Sequence, residues 1–79
     1  MNNARRAKLT RIRDDIQNIV GRLDYVLFEE QIAIDNIPEN LRMSENYYAM
    51  ETTIETIEEA IDDLRDSVEA IETITAGNK

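Results

Sequence analysis

The groups in this chain that could do chemistry are nearly all carboxylates. Glu55, Glu58, Glu59, Asp62, Asp63, Asp66 and Glu69 crowd one short stretch. Paired carboxylates perform general acid–base work only where a cleft raises one pKa and leaves the other ordinary. The alternatives are a solvated acidic face, or an acidic row that occupies a basic groove on a partner through the electrostatics that attract phosphates. For that docking role the candidates are Asp62, Asp63, Asp66 and Glu69. A second cluster is basic: Arg5, Arg6, Lys8, Arg11 and Arg13, with no acid among residues 1–13. Several arginines can hold phosphates, and an aromatic face can hold a base. Arg5, Arg6, Lys8, Arg11 and Tyr48 are therefore candidates for a small anionic ligand, provided that an oligomer brings them together. The net charge of −8 disfavours direct binding of a long polyanion.

Other chemistry is excluded by composition. The 79 residues include no cysteine and no histidine. That removes disulfides, thiolate nucleophiles, zinc clusters, Ser-His triads and imidazole catalysis. Carboxylate-only sites for calcium or magnesium stay open, but the D-x-[DN]-x-[DN]-G loop of an EF-hand is absent. No metal site and no cofactor is expected. Neither a secretory signal nor a membrane span is legible, so the expected location is the cytoplasm.

The elements that position these groups are helices. In the second half Tyr47, Met50, Ile54, Ile57, Ile61, Leu64, Val68 and Ile71 follow an unbroken 3,4 spacing, which is a heptad seam. In the first half Leu9, Ile12, Ile16, Ile19, Leu23 and Val26 do the same, and the register continues through Glu30, Ala33 and Ile37. Pro38 interrupts the helical ladder between the halves. Ser44 is the expected N-cap of the second helix, with Met43 and Tyr48 as a hydrophobic staple. Gly77 is the expected left-handed stop.

The resulting expectation is one all-α domain over residues 1–79, an antiparallel two-helix hairpin of coiled-coil type. Helix 1 covers about residues 4–35, the turn about 36–43 and helix 2 about 44–75. Antiparallel folding sets the basic start of helix 1 beside Asp62, Asp63, Asp66, Glu69 and Glu72. A core this small is marginal alone. Helix 1 also carries further apolar columns, Gly21, Tyr25, Phe28 and Ile32 in one and Val20, Leu27 and Ile34 in another. Val20, Gly21, Tyr25, Phe28 and Ile32 are the expected interface of a homo-oligomeric bundle.

The stretch EEQIAIDNIPENLRMSENYYAMETTIETIEEAIDDL, from Glu29 to Leu64, resembles a family of small acidic proteins from phages, prophages and mobile elements of Firmicutes and gut bacteria. The likeness lies in the basic start, the EEQ-x-A-x-DN-x-PE-x-L-x-x-S turn and the acidic EEAIDxL repeat. Many members begin helix 2 with Ser-Glu-Arg-Gly, where this chain has Ser44-Glu45-Asn46-Tyr47. The resemblance implies a phage or mobile-element origin. By analogy with helical-hairpin phage proteins that sequester the cyclic-nucleotide signals of bacterial immunity, it points to non-enzymatic counter-defence, by capture of an immune effector or its signal. The alternatives are an acidic nucleic-acid mimic that inhibits a basic host protein, and a structural or assembly coiled coil.

Overall fold

A computed structural model describes residues 1–77. The chain forms helix α1, Asn3–Asp35, a 3-10 turn, Glu39–Leu41, and helix α2, Glu45–Gly77. The helices fold back on each other into a rod of about 60 × 14 × 12 Å. Each helix has 33 residues. At ~1.5 Å rise per residue each is roughly 50 Å long and runs most of the rod.

Local chemistry fixes the ends. Asn2 caps α1, its Oδ1 accepting from the Arg5 backbone N–H at 2.8 Å. At the far end the Asn36 and Ile37 N–H groups donate to the carbonyls of Ile32 and Ile34, both at 3.1 Å. Pro38 then takes an extended conformation, φ −56° and ψ 143°, and its carbonyl accepts from Leu41 N–H at 2.9 Å. Ser44 serves both sides of the turn. Its hydroxyl donates to the Leu41 carbonyl at 2.8 Å and accepts from the Tyr47 N–H at 3.2 Å. Of the expected staple only a polar contact is seen, the Tyr48 hydroxyl reaching the Met43 sulfur at 3.5 Å, while Met43 stays 80% exposed. Gly77 departs from expectation, being the last helical residue with no left-handed φ.

The α2 seam is buried or half-buried at every expected position from Tyr47 to Ile71, and Thr75 extends it. The α1 seam needs correction. Leu9, Ile16, Leu23, Glu30 and Ile37 face α2 as expected. The alternate positions are instead Arg13, Val20, Leu27 and Ile34, while Ile12, Ile19, Val26 and Ala33 are exposed. Both columns sit beside the shared one at heptad spacing and both are largely apolar, so periodicity alone does not choose between them. Rotation of α1 to the expected face would bury Ala33 in place of Ile34 and draw Arg13 away from Glu72. The observed seam keeps the larger side chain inside and the ion pair at its edge.

Val20 is accordingly a core residue, 7% exposed, and not part of an outer interface. Among the described residues only Val20, Ile34, Ile61 and Val68 are buried, and no large side chain is buried completely. The hairpin is thus a single thin seam with solvent on every other side.

Candidate functional site

Two edges flank the seam, and they differ in chemistry. On one edge of α1 the heptad places Thr10, Gln17, Asp24 and Gln31. The corresponding α2 column is Glu51, Glu58, Arg65 and Glu72. Arg65 Nη2 meets Asp24 Oδ2 at 3.3 Å, and Arg13 Nη1 meets Glu72 Oε2 at 3.4 Å. These contacts across the seam place both polar columns on the same side of the hairpin. On the opposite side lie Ile12, Ile19, Val26 and Ala33 of α1, with Thr53, Ala60, Ser67 and Ile74 of α2. Between Ile12 and Ala33 of α1 and between Thr53 and Ile74 of α2 these columns carry no charge, and Arg5 follows one heptad beyond Ile12.

The carboxylates form a ridge on the outside of α2. Glu55, Glu59, Asp62, Asp66 and Glu69 recur at 4,3,4,3 spacing and all are exposed. The ridge spans about 21 Å at ~1.5 Å per residue. Among the described residues none of these five side chains makes a hydrogen bond or ion pair. Asp63 is exposed as well, offset toward the uncharged edge. Arg65 is the one base of the helix that could neutralise Asp62 or Glu69 at helical spacing, and it is directed across the seam to Asp24 instead. The ridge has no cleft, and among the described residues no three carboxylates converge to hold a metal ion.

Among the described residues the expected pairing between the basic start of α1 and the acidic end of α2 is realised by Arg13 with Glu72 alone. Arg13 also binds Asp14 at 2.8 Å, and that hydrogen bond is the main cause of its raised pKa. Arg5, Lys8 and Arg11 make no side-chain hydrogen bond or ion pair among the described residues, and Arg6 Nη1 donates to Asn3 at 3.2 Å. A shallow basic depression lies there, lined by Asn3, Arg6, Ala7, Thr10, Arg11 and Asp14. Arg6 faces the seam, and its Nε is buried with no hydrogen-bond partner.

Tyr48 is not near these arginines. It follows the turn, packed edge-on against Tyr47 at 6.3 Å between ring centres, while Arg5 to Arg11 sit at the other end of the rod. One chain therefore does not unite the candidate nucleotide site. The remaining outer residues of α1 are exposed: Tyr25 at 65%, Phe28 at 57%, and Ile32 and Gly21 beside them. A Cβ built on Gly21 meets nothing within 4 Å. A shallow depression around it is lined by residues of α1 alone, Asn18, Arg22 and Tyr25 together with Ile19 and Val26 of the uncharged edge among them. The uncharged edge is not legible in the 3,4 spacing, which puts Ile12, Ile19 and Val26 in the core, whereas all three are exposed.

Comparison with protein-family models, with curated proteins and with solved structures finds no match to this chain. No helix among the described residues is long and apolar enough to cross a membrane.

Proposed function

We propose that this chain is a non-enzymatic binding protein that assembles with copies of itself and docks on a basic protein surface through the outer carboxylates of α2. The observation that carries this reading is the ridge from Glu55 to Glu69, exposed and without a neutralising partner among the described residues. Five like charges on successive turns repel one another and weaken the helix by a few tenths of a kcal/mol per pair. A basic partner would relieve that repulsion and release its own counterions, as nucleic acid does. The reading adopts the phage or mobile-element origin that the resemblance of Glu29–Leu64 implies, and with it nucleic-acid enzymes of a bacterial host as the partners to test.

Calorimetry with an arginine-rich peptide at two salt concentrations tests the ridge. Neutralising Asp62, Asp66 and Glu69 together should weaken binding by tenfold or more. Neutralising Glu29, Glu39 and Glu45 near the turn changes the net charge equally and should have much less effect. Equal losses in both would show that net charge, not the ridge, drives binding.

A second reading is capture of a small anion, such as a cyclic nucleotide, by Arg5, Arg6, Lys8 and Arg11. The depression at the start of α1 and the unsatisfied Arg6 Nε favour it. Tyr48 could contribute only from a second chain. Titration with a panel of cyclic dinucleotides, read by calorimetry, tests it; no binding heat from any would remove it.

A further inference from the structure

The accessible surface of the hairpin is 6018 Å². A compact folded chain of 9.1 kDa exposes only about 4,900 Å². The excess, roughly 1,100 Å², is of the size that one partner buries in a stable complex, about 800 Å². The question is which surface is to be covered, and by what.

The uncharged edge answers both parts. Ile12, Ile19 and Val26 are 47%, 43% and 43% exposed, at the same height in successive heptads. Across the seam, Ala60 and Ser67 are small enough to let another helix approach. The edge runs from residue 12 to residue 33 of α1, about 32 Å at ~1.5 Å per residue. With a width of two helices, ~10 Å each, it offers about 640 Å² of footprint. That is close to one side of a standard interface.

We infer that this edge receives the same edge of a second copy, stacked face to face and running in the opposite direction, to make an antiparallel four-helix bundle. The arrangement rests on the oligomeric reading above, and gives it a face and a direction. Three observations select it. First, a two-fold axis crossing the rod at its middle makes the edge self-complementary. It sets Ile12 opposite the partner's Ala33 and Ile19 opposite the partner's Val26, so the large residue meets the small one at the ends of the column. Self-complementarity of this kind is the requirement of an isologous dimer. Second, charge is distributed unevenly along the rod. Residues 29–51, around the turn, hold six acids against Arg42, net −5, while the two terminal ends, residues 1–17 and 62–77, hold seven acids against six bases, net −1. A parallel dimer would set two turn ends of −5 side by side. The antiparallel dimer sets each turn end level with the partner's basic start. Like-charge juxtaposition disfavours the first and opposite charge favours the second. Third, stacking on this edge leaves the carboxylate ridge of α2 exposed, so assembly and docking do not compete for surface.

The test uses the absence of native cysteine. Ile12→Cys and Ala33→Cys chains are prepared separately and oxidised alone and mixed. The antiparallel dimer predicts little disulfide from either chain alone and efficient cross-linking of the mixture. Efficient self-cross-linking of Ile12→Cys chains overturns the antiparallel order. So does preferential cross-linking of Ile12→Cys with Ile74→Cys, which is the pattern of a parallel stack. In parallel, the mass in solution is measured for Ile19→Glu and Phe28→Glu. Both sites are exposed in the hairpin, so helical circular dichroism should be retained. Ile19→Glu should yield monomers, whereas Phe28→Glu should leave the dimer intact; the reverse pattern overturns the face. A wild-type chain that is monomeric overturns the oligomeric reading itself, whereas a dimer that cross-links otherwise overturns only this arrangement.

Discussion

Gly21→Ala tests the packing around the outside of α1. Gly21 lies in the middle of a 33-residue helix, where glycine costs about 1 kcal/mol against alanine. It is exposed, and the added methyl would meet nothing within 4 Å. Nothing in the hairpin therefore offsets the gain in helix propensity, and the variant should be more stable by about 1 kcal/mol. Unfolding entropy of roughly 2.1 cal/mol/K per residue over 79 residues is ~170 cal/mol/K, so Tm should rise by about 6 °C. Stacking on the uncharged edge should change this little, because Gly21 lies in a different heptad column from Ile19 and Val26, although all three border one depression. The assay is a thermal melt followed by circular dichroism at fixed protein concentration, with mass in solution recorded alongside. A fall in Tm, or loss of assembly, would mean that another backbone lies against Gly21. The outer surface with Tyr25 and Phe28 would then be the interface, and the edge proposed above would be wrong.

Other substitutions probe the hairpin itself. Ile61, the most buried residue at 3% exposed, should cost about 2–5 kcal/mol on replacement by alanine, read as a large fall in Tm. Ser44→Ala removes the cap of α2 and a hydrogen bond to the turn, and should lower stability by about 1 kcal/mol in a denaturant melt. Asp24→Asn breaks an ion pair whose two side chains are each about half exposed; the expected change is under ~0.5 kcal/mol, and a larger loss in the same melt would mean that Asp24 sets the register of the seam.

The turn was the most legible part of the chain. Pro38, Ser44, Met43 and Tyr48 each act through local geometry, which needs no knowledge of the partner helix. The α2 seam is equally plain, since its flanking columns are mostly charged or small, Ile74 being the one large apolar residue in them, and only one face is continuously apolar. The α1 seam was not. Leu9, Ile16, Leu23 and Ile37 belong to either of two registers, and Ile12, Ile19 and Val26 compete with Val20, Leu27 and Ile34 for the inside. Tertiary packing decides between them through Ile34 beside the turn and Arg13 against Glu72. The same ambiguity hid the candidate docking edge: residues assigned to the core were the ones left outside. The pairing of the basic cluster is illegible for a different reason. Antiparallel folding brings it to the acidic end of α2, but most of its side chains remain in solvent, and only Arg13 crosses the seam.

Sedimentation equilibrium of the unmodified chain tests the account most directly. The central claim is that a hairpin with one thin seam assembles with its own copies. The account predicts a mass of about twice 9.1 kDa at micromolar concentration and physiological salt, the affinity falling when Ile19 carries a charge. A mass of 9.1 kDa across the whole accessible concentration range would contradict it.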